Sequence, residues 1–131
     1  MFEKYMICTR GFKNVYEDDR PAGFQLKVRI TYYRGIPVSC VESFDVTVDG
    51  ETFSPDNVTF SIGGKSFPLT QVGKAVDVRW PFGDPATLII KKPGGLKPGI
   101  HDIQVVETLR ISYMPNSRSV ATAKKKVTLV I

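Results

Sequence analysis

Histidine and cysteine are nearly absent from this 131-residue chain: one imidazole, His101, and two thiols, Cys8 and Cys40. Ser–His–Asp or Cys–His catalysis would have to use the single imidazole. A closed zinc site needs four ligands, and two thiols without a Cys-x-x-Cys spacing plus one imidazole do not supply them. The two cysteines are expected as free, buried thiols, because a domain of this length has a core of its own and cytosolic proteins rarely keep disulfides. Long apolar runs are missing too. No stretch of 18 apolar residues exists to span a membrane, and the start, Met1 to Arg10, has neither the apolar run nor the small-residue cleavage site of a signal peptide. The expected location is the cytoplasm, with no membrane partner.

Helical periodicity is the third absence. Apolar residues nowhere recur at i, i+3, i+4, i+7 over three turns, and nine Pro and eleven Gly interrupt the chain. Strand patterns take their place. From Gly23 to Tyr33, Phe24, Leu26, Val28, Ile30 and Tyr32 alternate with Gln25, Lys27, Arg29 and Thr31. Phe44, Val46 and Val48 alternate with Ser43, Asp45 and Thr47 before Asp49-Gly50, a type I′ hairpin signal. Residues 57–62 and 65–69 flank Gly63-Gly64 as a second hairpin. Val76 and Val78 alternate with Asp77 and Arg79 up to Trp80, residues 86–92 form a short apolar strand, and residues 119–131 a terminal one.

The longest pattern follows Pro98-Gly99. Ile103, Val105, Leu109, Ile111 and Tyr113 share one face, opposite Asp102, Gln104, Thr108, Arg110 and Ser112. Fourteen extended residues would span about 46 Å, longer than most strands, so a bulge is expected. Glu107, which interrupts the apolar row, is the candidate position. The whole implies one all-β domain, residues 1–131, an antiparallel β-sandwich of about eight or nine strands. A closed barrel stays open as an alternative.

The candidate chemistry is sparse. His101 begins a strand, where it is expected to hydrogen-bond structurally, and Asp102 beside it points to the other face. Glu17-Asp18-Asp19 reads as a solvated loop and lacks a calcium-loop pattern. The net charge of +5 divides unevenly: residues 1–65 carry eight Lys and Arg against nine Asp and Glu, net −1, and residues 66–131 carry ten against four, net +6. Lys124-Lys125-Lys126 has no interleaved aromatic for base stacking, so nucleic acid is not the expected partner. It reads instead as a charged edge that resists aggregation. Large aromatics and arginines at strand ends and turns are the residues that carry interface energy. Tyr33, Arg34, Trp80, Phe82 and Arg118 are therefore the expected partner contacts, with core packing the competing reading for Trp80.

Residues 1–12 (MFEKYMICTRGF), 20–30 (RPAGFQLKVRI), 78–86 (VRWPFGDPA) and 96–101 (LKPGIH) give the chain a resemblance to the small β subunit of bacterial C-glycoside deglycosidases. The resemblance runs along nearly the whole chain and contains no catalytic signature. It implies a hetero-oligomer with a larger TIM-barrel α subunit that carries a divalent metal, manganese, and cleaves the carbon–carbon bond between a 3-oxo sugar and an aromatic aglycone such as a flavonoid. It also implies that the chain is part of a lyase complex, holds no catalytic residue, cofactor or metal, and meets substrate at most indirectly. The rival from another class is a stand-alone carbohydrate-binding or adhesion-type sandwich.

Overall fold

The computed structural model describes residues 5–31, 35–110 and 118–129. Nine strands form two antiparallel sheets. One sheet has the order β1 (Lys13–Glu17), β2 (Arg20–Val28), β9 (Ala86–Lys91), β6 (Val58–Ile62), β7 (Lys65–Pro68). The other has the order β11 (Arg118–Leu129), β10 (Gly99–Arg110), β4 (Val41–Val48), β5 (Glu51–Phe53). A two-residue pair, β3 (Ile36–Pro37) with β8 (Arg79–Trp80), lies apart from both. The sheets do not close into a barrel. Their apolar rows meet face to face: Phe24 of β2 packs edge-on to Phe53 of β5 at 5.3 Å, and Phe44 of β4 stacks on Phe60 of β6 at 6.0 Å. Trp80 closes this cluster, 5.3 Å from Phe60 and 5.9 Å from Phe44.

Three two-residue hairpins set the registers. Asp49-Gly50 and Gly63-Gly64 have positive φ at both positions, as a type I′ turn requires. The acidic cluster, read as a loop, supplies the third: Asp18 (φ 49°) and Asp19 (φ 64°) turn β1 into β2, because Asp tolerates the left-handed region. Residues 75–80 depart from the alternation. Only Arg79–Trp80 is strand, and residues 69–74 wind as a 3₁₀ segment whose Leu69 and Val72 are buried. The preceding alternation belongs to an irregular stretch that accepts bonds from Val38 and Ser39, leaving Val76 exposed. Cys8 and Cys40 are free and buried.

The bulge sits one strand away from Glu107. β10 pairs with β11 through twelve unbroken positions, whereas on its other side Thr108 faces Ser43 and Leu109 faces Val41, so Glu42 of β4 is the extra residue. The insertion has a packing reason. Val41 and Phe44, three residues apart, would fall on opposite faces of a regular strand, and the extra residue turns both into the core.

Glu107 stays in register and is fully buried. Its Oε1 accepts from the Thr31 amide at 3.0 Å and the Thr31 hydroxyl at 2.5 Å, while Oε2 has no partner among the described residues. Burial of the charge raises its pKa to about 7, and the two Thr31 bonds oppose that rise. The folded state therefore keeps a proton that the unfolded chain has released, between its ordinary 4.5 and about 7, and stability falls as pH rises through that window. The full effect is about 3 kcal/mol. Urea unfolding of wild type and Glu107→Gln across this range should show a stability difference that changes in the variant's favour as pH rises. A pH-independent difference would refute a titrating Glu107. A second prediction concerns Gly23, where a Cβ would lie 2.1 Å from the Ile90 carbonyl oxygen of the adjacent strand. Gly23→Ala should lower stability by about 1–3 kcal/mol in the same assay, and unchanged stability would contradict this close approach.

Candidate functional site

The register of β10 gives the sandwich two different ends. At the end where β10 finishes, Arg118 starts β11 opposite Arg110, β4 begins opposite Leu109, and Thr31 reaches Glu107. The β3–β8 pair leads into β4 at this end through the 3₁₀ segment Val38–Cys40. The structure thus brings Trp80, Phe82 and Arg118 to one end of the molecule. Tyr33 and Arg34 lie outside the described residues, although Gly35, which follows them in sequence, packs its backbone against Trp80–Phe82. A Cβ on Gly35 would come within 2.9 Å of the Trp80 carbonyl.

The three described candidates sit differently. Phe82, on the turn after β8, is half exposed. Arg118 is exposed along more than half its side chain, and its Nε donates to Glu42 Oε2 at 2.6 Å, so the bulge residue holds its guanidinium. That bond raises the Arg118 pKa further above its ordinary value. Trp80 is fully enclosed by the chain's own core, and its indole N–H donates to the Asp84 carbonyl at 2.8 Å. Trp80 therefore anchors the 81–84 turn from inside, and Phe82 is the aromatic that this turn presents at the surface.

The opposite end belongs to His101. Its Nδ1 meets Asp49 Oδ2 at 2.5 Å, its Nε2 meets the Lys97 carbonyl at 2.6 Å, and the ring packs edge-on to Phe12 at 5.9 Å. Asp49 Oδ1 also accepts the Asp102 amide, while the Asp49 amide donates to the Asp102 carbonyl. Two acceptors facing the two ring nitrogens fit the doubly protonated imidazolium. Burial disfavours that charge, but the Lys97 carbonyl and the Asp49 carboxylate outweigh it and raise the His101 pKa. The His101 bond, then the Asp102 amide, hold the Asp49 carboxyl below its ordinary range. With both nitrogens engaged, the ring has no free lone pair to act as a general base. Sequence reasoning saw Asp49 only as a turn former. Its pairing with a residue 52 positions away depends on β4 lying beside β10, which local pattern does not reveal.

Glu107, whose carboxyl pKa is raised by burial, lies inside the core on Thr31. Among the described residues no group of three or more His, Cys, Asp or Glu side chains converges as a metal site. The described arrangement thus places an exposed aromatic and an exposed arginine at one end and two internal polar clamps in the sandwich, with no accessible acid–base pair built from His101 or Glu107.

Comparison with known proteins agrees on one family. A family model described as C-glycoside deglycosidase beta subunit matches residues 2–113. The chain is 34% identical over 114 residues to the C-glycoside deglycosidase beta subunit of Eubacterium cellulosolvens, spanning 86% of this chain and 78% of that one. It is 32% identical over 95 residues to the 3'-dehydrocarminate deglycosidase beta subunit of a Microbacterium species, spanning 72% and 70% of the two chains. With its β-sandwich fold and this match along most of its length, the chain belongs to the C-glycoside deglycosidase β-subunit family.

Proposed function

We propose that this chain is the non-catalytic β subunit of a heteromeric C-glycoside deglycosidase. In this reading it supports a TIM-barrel α subunit, which carries a divalent metal, manganese, and cleaves the carbon–carbon bond of 3-oxo-C-glycosides. The observation that carries the reading is the family match over residues 2–113, together with relatives named as beta subunits. The internal engagement of His101 and Glu107 supports a division of labour in which the chemistry resides on the partner. A ketone at C3 of the sugar acidifies the C2 proton, and removal of that proton by a base leads to expulsion of the aglycone. No step is assigned to a residue or metal of this chain.

The contact surface in this reading includes the 81–84 turn and Arg118, with Tyr33 and Arg34, which lie outside the described residues, as further expected contacts. Phe82 and Arg118 are residue types that carry interface energy when a partner covers them. The groove of about 420 Å³ along the outer face of β10 and β11, lined by Thr47, Gln104, Lys124 and Lys126, has no aromatic ring among the described residues on which a sugar would stack. This favours the partner-dependent reading over a stand-alone sugar-binding module.

Co-expression with the α subunit should yield a complex that survives purification. Phe82→Ala and Arg118→Ala should each weaken association about tenfold in a binding titration, whereas Tyr16→Ala, on the β1–β2 hairpin at the other end of β2, should leave it unchanged. A chain that remains alone when the α subunit is present would overturn the proposal.

A further inference from the structure

The core-facing row of β11 contains one cation. Ala121, Ala123, Val127 and Leu129 on this row are buried, but Lys125 stands between them, half-buried. Among the described residues its Nζ reaches the Ile7 carbonyl, at 3.3 Å. Arg29, just past β2, arrives at the same place with Nη1 3.4 Å from the Tyr5 carbonyl, and Arg10 joins from the N-terminal segment. Between these cations and Cys8 lies a recess of about 200 Å³. No Asp or Glu lines it among the described residues. The ion pairs described for the chain, Lys92–Glu51, His101–Asp49, Arg118–Glu42 and Lys126–Asp102, do not involve any of the three cations.

The framework holds these charges together rather than letting them separate into water. The Cys8 amide donates to the Lys27 carbonyl at 3.0 Å, the Arg29 amide donates to the Met6 carbonyl at 2.8 Å, and Ile7 bridges to Val28. The segment that carries Cys8 and Arg10 is thereby tied to the end of β2 that carries Arg29. The thiol registers the resulting field: burial pushes the Cys8 pKa up, and Arg29, Lys125 and Lys27 all oppose that rise. Clustered cations with no counter-charge among the described residues repel one another, and an anion in the recess would remove that cost.

We propose that this recess is an oxyanion site that takes a carboxylate or a phosphate group. Guanidinium forks match both groups bidentately, and an ammonium adds a point charge beside them. The recess is smaller than the roughly 300–1,000 Å³ of sites that enclose a drug-sized ligand, so it suits a single charged group. The group has two possible sources with the same chemistry, a free small anion or an acidic side chain of a protein partner.

The full chain is titrated with inorganic phosphate and with acetate while amide NMR shifts are followed. Saturable shifts are expected at residues 8–10, 29 and 125. Arg29→Gln and Lys125→Gln should each weaken binding about tenfold or more, Arg29→Lys should retain part of it, and Lys124→Gln on the outer face should have no effect. The spectra themselves report whether each variant is folded. Absence of saturable shifts at these residues in the wild type, or binding that folded Arg29→Gln and Lys125→Gln variants leave intact, overturns the proposal. Repeating the titration on the complex with the α subunit distinguishes the sources and upholds the site either way. Loss of phosphate binding there assigns the recess to a partner carboxylate, and retention assigns it to a free anion.

Discussion

The inner row of β10 is the constraint on which the rest of this structure depends. His101, Ile103, Val105, Glu107 and Leu109 all face the core from a strand that is paired with β11 on one side and β4 on the other. The three central apolar side chains hold the sheets together by burial. The two polar ones act at a distance along the chain: His101 fastens the Asp49 turn and the Lys97 carbonyl to one end, and Glu107 fastens Thr31 near the other. A buried polar group is costly unless it is hydrogen-bonded. His101 is satisfied by two acceptors, whereas Glu107 Oε2 has no partner among the described residues, so that buried carboxyl adds less stability than its two bonds to Thr31 suggest.

Much of the fold was legible because alternation along a strand is a local property. Phe24, Leu26 and Val28, or Phe44, Val46 and Val48, declare their face without knowledge of what lies opposite. Asp49-Gly50 and Gly63-Gly64 declare their turns in the same way. What failed to show was whatever depends on a second element. Glu107 looked like a defect in an apolar row and therefore like a bulge, but the irregularity that packing demands falls at Glu42, because Val41 and Phe44 must both turn inward. Asp18-Asp19 was hidden by the rarity of positive φ outside glycine. Among the candidate contacts, residue type alone drew attention to Trp80, Phe82 and Arg118. Their convergence on one end required the register of β10, and the enclosure of Trp80 required its two phenylalanine neighbours.

The same physical facts account for how the two polar groups of this row are used inside the fold. Its imidazole is locked between two acceptors, its perturbed carboxyl is sealed in the core, and its described residues gather no metal-ligating group. Elsewhere the sandwich carries a turn braced from within by Trp80 and an arginine steadied by the bulge residue Glu42.

The most direct measurement of this account is turnover of a 3-oxo-C-glycoside by the purified chain alone and by the chain combined with the α subunit. The account predicts no cleavage above background from the chain alone, with or without added manganese, and full activity from the combination. Cleavage of the carbon–carbon bond by the chain alone would contradict it.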